Sequence, residues 1–260
     1  MKKLKFIILI LIILVPALTQ AQPWKRIRYE AMFGFGFNNC FTDLGGANRD
    51  GTHFARDMEF SKSRPMLFLG ARYKIKERFA VKLNFIYARI AASDLETEWE
   101  GRLNRGLTAR SPLFDNTIQA EYSITKERFG PRYTFARLRN IRNLKVNTYV
   151  FAGVGWTFNA PKLQIDGTWY PAKEVDQDIL RTSKKENFHK SNIAFPIGIG
   201  FKYGINRRWS LGIEFSERFS TSDYLEGYSD INSTANDSYV FMLIQFSYKL
   251  RTAKNGLPKF

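Results

Sequence analysis

From Ile193 to Phe215 apolar side chains fall on every second position, stop for a tight turn, and resume. Ile193, Phe195, Ile197, Ile199, Phe201 and Tyr203 share one face, while Ala194, Pro196, Gly198, Gly200 and Lys202 share the other. After Gly204 to Arg208 the pattern returns, with Trp209, Leu211, Ile213 and Phe215 opposite Ser210, Gly212, Glu214 and Ser216. A side-chain period of two means β-strand. The large residues lie on one face, and the other carries glycines and charges. That is the reverse of a small soluble sandwich, and it predicts a strand pair with its apolar face toward lipid and its polar face inward.

The N-terminus fits an exported chain. Lys2, Lys3 and Lys5 precede an apolar run from Phe6 to Val15, and Thr19-Gln20-Ala21 supplies small residues at a cleavage point. Residues 1–21 are therefore expected to be a signal peptide and 22–260 one domain. The run falls short of the roughly 20 apolar residues that a membrane-spanning helix needs. No cysteine follows the cleavage point, so N-terminal lipidation is not expected. Cys40 is the only cysteine, which excludes an intramolecular disulfide framework. With His53 and His189 far from it in sequence, no zinc-like spacing arises. Neither metal nor cofactor is expected. An exported chain with no long apolar helix points to a barrel, because only helices and closed barrels satisfy the backbone inside a bilayer.

The same alternation recurs along the chain. Strands are predicted at Tyr29–Phe37, Met66–Ile75, Phe79–Ile90, Leu113–Thr125, Val146–Trp156, the two arms of the hairpin above, and Tyr239–Leu250. Eight antiparallel strands of this length predict an eight-stranded transmembrane β-barrel of the outer membrane, with aromatic residues at the strand ends. A soluble lipocalin-like barrel is the alternative, and it would place the large apolar residues inside. Long connections (Asn38–Pro65, Ala91–Pro112, Thr157–Asn192, Ser220–Ser238) alternate with Lys76–Arg78, Lys126–Lys145 and Gly204–Arg208, so the termini and turns are expected in the periplasm. The polar faces would bring Glu30, Arg72, Lys74, Lys82, Asp115, Glu121, Lys202, Glu214 and Arg218 into a narrow lumen. Buried charges need partners, so a salt-bridged plug is expected in place of a diffusion pore.

The net charge of +16 is unevenly placed. Ser220–Ser238 carries acids and no basic residue, whereas the turn side collects Lys25, Arg26, Arg28, Lys76, Arg78, Arg207, Arg208, Arg251, Lys254 and Lys259. The long turn adds Lys126, Arg128, Arg132, Arg137, Arg139, Arg142 and Lys145, with Glu77 and Glu127 as the acids. Such a face should attract an acidic partner. Arg128, Arg132, Arg137, Arg139, Arg142, Lys145, Arg207 and Arg208 are the candidate partner-binding residues. An outer-membrane location would exclude nucleic acid and leave lipid and periplasmic proteins as partners.

Two motifs bear on chemistry. Gly153-Val154-Gly155 and Gly198-Ile199-Gly200 are embedded in strands and too short for nucleotide loops. His189-Lys190-Ser191-Asn192 resembles the His-x-Ser-Asn run of outer-membrane lipid A deacylases, in which a histidine activates a serine. That family's orienting acid, about a dozen residues later, has no counterpart between Ile193 and Tyr203. No catalytic residue is assigned, and the deacylase remains an alternative alongside a small-solute pore.

Four segments resemble a family of Bacteroidetes outer-membrane barrels that includes PorG of the type IX secretion system. They are Asp43-Leu44-Gly45-Gly46, the run Tyr149 to Gly155, the run Ala194 to Tyr203, and Thr221-Ser222-Asp223-Tyr224-Leu225-Glu226-Gly227-Tyr228-Ser229. The last is similar to that family's Thr-Asp-Tyr-Leu-Asp-Asp-Val-Ser run, although Ser222 interrupts the Thr-Asp pair. The resemblance implies a non-enzymatic outer-membrane barrel that contacts the periplasmic lipoprotein ring of the secretion machine.

Overall fold

The computed structural model describes residues 23–41, 44, 62–96, 106–127, 146–175, 189–229, 236–253 and 255–259. Eight long strands form the body: β1 (Tyr29–Phe41), β2 (Arg64–Lys74), β3 (Phe79–Ser93), β4 (Thr108–Ser123), β5 (Val146–Asn159), β8 (Ser191–Gly204), β9 (Trp209–Ser220) and β10 (Ser238–Thr252). Each pairs antiparallel with its neighbour, and β1 pairs with β10 as well as β2, which closes the sheet. Closure removes every long edge, as hydrocarbon surroundings require.

All eight expected strands are present, most of them longer than the alternation suggested. β3 runs on to Ser93, β4 begins at Thr108 and β5 ends at Asn159, because the same ladders continue past the predicted ends, pairing Ser93 with Thr108 and Leu113 with Asn159. A short hairpin, β6 (Lys162–Ile165) and β7 (Thr168–Pro171), extends the β4 edge, and β11 (Pro258–Lys259) folds back on β10. Neither was expected: four residues are too few to show a period.

The faces point as the alternation requires. Leu67 and Leu69 are each 64% exposed, and Phe33, Phe35, Phe37, Ile193, Phe195 and Ile197 lie with them on the outside. The lumen side holds Lys82, Asp115 and Gln245, all at 0% exposure and none of them apolar. Large apolar residues outside and charges inside describe a barrel built for lipid, which overturns the lipocalin-like alternative.

The lumen has two halves. The half beside the short turns is ionic. Toward the long loops lies an apolar cluster that includes Met32, Phe68, Ile86, Leu113, Tyr239 and Phe241, with Leu225 among them. Leu225 comes from the segment after β9, which folds into the mouth: Leu225, Glu226, Tyr228 and Ser229 are all 0% exposed. Asn159 donates to the carbonyls of Tyr224 and Leu225, and the Leu225 N–H donates to Asp237 at 2.8 Å. A lumen filled by ions alone had been expected; the loop-side half is closed by apolar packing because Met32, Phe68 and Phe241 also point inward.

Candidate functional site: a filled lumen above a basic rim

Inward parity along each strand delivers the charged side chains to the lumen. All nine residues expected in the lumen are buried there. Lys82 Nζ donates to both Glu214 oxygens at 2.6 and 2.7 Å. Arg72 pairs with Glu30 at 2.9 Å and with Glu121 at 2.6 Å, and Lys202 reaches Glu30 at 3.3 Å. Tyr149 donates to Glu214 at 2.5 Å, and Gln245 donates to both Tyr149 and Glu214 at 2.8 Å. Nearer the loops a separate pair, Arg218 and Asp115 at 2.9 Å, is completed by the Tyr239 hydroxyl donating to Asp115 at 2.8 Å.

Glu127 corrects the sequence reading. It was expected among the acids of a solvent-facing turn, yet it enters the barrel after β4 and pairs with Lys74, with Lys202 at 2.9 Å and with Lys249 at 2.9 Å. Three strands meet on this one carboxylate. Burial works against its charge, but Lys202 and then Lys74 hold its carboxyl below the usual carboxylate range. The lower cluster thus sets Glu30, Glu121, Glu127 and Glu214 against Arg72, Lys74, Lys82, Lys202 and Lys249. The cavity beside Arg72, Lys202 and Asn147 measures about 10 Å³, space for roughly one water. Among the described residues, buried side chains fill the lumen at this level.

Two glycines make room for this packing. Across the β5–β8 ladder Tyr149 faces Gly200 and Phe151 faces Gly198. A Cβ on Gly200 would lie 2.3 Å from the Tyr149 ring, and one on Gly198 would lie 2.5 Å from the Phe151 ring. These glycines are seats for inward aromatic rings, a cross-strand pairing that suits a narrow barrel.

At the turn end, Lys25, Arg26, Lys76, Arg78, Arg207 and Arg208 are exposed, while Glu77 is engaged by Lys126 at 2.9 Å. Arg207 and Arg208 close the β8–β9 turn, where Asn206 Oδ1 accepts from the Arg208 and Trp209 N–H groups at 2.8 and 2.7 Å. The other candidates, Arg128, Arg132, Arg137, Arg139, Arg142 and Lys145, lie outside the described residues.

Ser191 opens β8 on the outer face beside exposed His189. The Ser191 hydroxyl accepts from the Trp156 indole N–H, and the His189 carbonyl accepts from Asn192. No hydrogen bond joins Ser191 to His189 among the described residues.

The family model for Domain of unknown function (DUF6089) matches residues 45–250, most of the chain. The chain belongs to the DUF6089 family. No curated protein matches it. Among solved structures it is similar to Ail, the attachment invasion locus protein of Yersinia pestis, at 11% identity and a TM-score of 0.43, covering 86% of this chain and 99% of that one. It is also similar to OprG from Pseudomonas aeruginosa, at 13% identity and a TM-score of 0.40 over 86% of this chain and 97% of that one. A third likeness, to Outer Membrane Protein W of E. coli, stands at 16% identity and a TM-score of 0.38 over 86% and 98%.

In this DUF6089 chain, some of the site residues that sequence reading missed were within reach of the same parity rule. Glu127 shares odd numbering with the buried set Asp115, Thr117, Gln119 and Glu121, but exposed Thr125 interrupts the alternation between them. Lys249 shares parity with Gln245 and Ser247, and Tyr149 with Phe151. The cap formed by Leu225 and Tyr228 had no such signal, since a loop that turns into a mouth has no period.

Proposed function

We propose that this chain is a non-enzymatic outer-membrane barrel, with termini and short turns in the periplasm, that docks periplasmic partners of a secretion machine through its basic turn end. The supporting observation is the pairing, among the described residues, of a lumen filled by buried side chains with exposed positive charge at the turn end, a surface suited to an acidic protein. The sequence resemblance to the type IX secretion barrel names the partner class as the periplasmic lipoprotein ring.

The test is co-purification in mild detergent. Replacing Arg132, Arg137, Arg139 and Arg142 by Ala should reduce recovery of periplasmic partners while the barrel keeps its heat-modifiable gel mobility. Unchanged recovery would sink the docking reading. Planar-bilayer recordings supply a second arm: steady conductance from the wild-type barrel would favour a solute pore instead.

A further inference from the structure

One arrangement occurs three times around the turn end. Arg28 precedes Tyr29 at the start of β1, Arg78 precedes Phe79 at the start of β3, and Arg208 precedes Trp209 at the start of β9. Opposite each of these aromatics the neighbouring strand places a tyrosine: Tyr29 faces Tyr73, Phe79 faces Tyr122, and Trp209 faces Tyr248. In every case the arginine carbonyl accepts from the residue after that tyrosine, namely Lys74 at 2.9 Å, Ser123 at 2.8 Å and Lys249 at 2.8 Å. The arginine Nη1 in turn donates to the tyrosine hydroxyl, at 3.3, 3.4 and 3.4 Å. The paired rings stand 5.0, 5.0 and 4.9 Å apart.

Closing the barrel does not require this repeat. A hairpin turn needs no cation beside an outward tyrosine, and no carboxylate pairs with Arg28, Arg78 or Arg208 among the described residues. Each guanidinium has five N–H donors, of which the tyrosine takes one. Arg28 is held further by the Trp24 ring, 5.1 Å from its guanidinium carbon, and its Nε is buried without a hydrogen bond. The tyrosines share the outward parity of the apolar belt, so the three arginines sit where hydrocarbon gives way to headgroups. A guanidinium fixed there, with its fork unspent, matches a phosphate by charge and by bidentate geometry.

We propose that the three arginine–tyrosine clasps bind the phosphates of glycerophospholipids in the leaflet at the turn end. Glycerophospholipid follows from the periplasmic orientation argued above; the partner-docking role is separate. Arg208 belongs to both surfaces, so the readout must be lipid and not protein.

The experiment is native mass spectrometry of the full barrel in mild detergent, with added phosphatidylglycerol or with diacylglycerol of the same chains. Phosphatidylglycerol adducts should be retained and diacylglycerol lost. The combined Arg28→Gln, Arg78→Gln, Arg208→Gln variant should retain the phospholipid about tenfold less well. The combined Tyr73→Phe, Tyr122→Phe, Tyr248→Phe variant should fall between, and Lys126→Gln, which removes a charge at the same end, should match the wild type. Heat-modifiable mobility reports folding of each. Equal retention by the folded arginine variant, equal retention of diacylglycerol, or uptake of lipid A in preference to phosphatidylglycerol each overturns the proposal. Should the arginine variant fail to fold, the wild-type comparison of the two lipids and the tyrosine variant decide it.

Discussion

Lys82 and Glu214 meet across the barrel at 2.6 Å, an ammonium from β3 against a carboxylate from β9, with side-chain exposures of 0% and 5%. Strands that are not neighbours in the sheet are thereby tied through the lumen. Around this pair Tyr149 and Gln245 use the same carboxylate, and Arg72 approaches it at 3.9 Å. The centre of the barrel is one network, not a set of separate pairs.

Removing one partner of a buried ion pair leaves the other charge uncompensated, which costs roughly 3–5 kcal/mol. Lys82→Met should destabilise the barrel by that order in urea unfolding from detergent or lipid. Combining it with Glu214→Gln should recover more than half of the loss, since the amide oxygen still accepts from Tyr149 and Gln245 and no lone charge remains. If the double variant is as unstable as the sum of the two singles, the network account is wrong.

The Glu127 carboxyl is held below the ordinary value of about 4.3. A carboxyl lowered in the folded state contributes stability that is complete above its unfolded pKa and is lost as pH falls through the folded one. Wild-type stability should therefore stay level, as far as this group decides it, from neutral pH to about 4.3, and decline in stronger acid. Glu127→Gln should be less stable at neutral pH and show a shallower acid decline. Parallel unfolding curves for the two proteins over that range would remove Glu127 as the anchor of the turn.

The deacylase alternative makes a separate prediction. Ser191 is engaged by Trp156 and not by His189, so Ser191→Ala should leave the acyl pattern of lipid A unchanged when measured by mass spectrometry of whole-cell extracts. A gain of acyl chains in that variant would restore the enzyme reading.

Much of this molecule was legible in the residues alone. The alternation at Ile193–Tyr203 and its counterparts determined strand number, strand order along the chain and which face meets lipid, because a period of two is a local property that any barrel must respect. It also selected the nine lumen charges, for the same reason. What it left open was depth and partnership. Parity ends with β4 and does not place Glu127, and only the closed barrel brings Lys74, Lys202 and Lys249 from three different strands onto it. The mouth capped by Leu225 and the three arginine–tyrosine clasps likewise depend on register between strands distant in sequence. Register is fixed by closure and packing of the whole sheet, and no short stretch of residues carries that information.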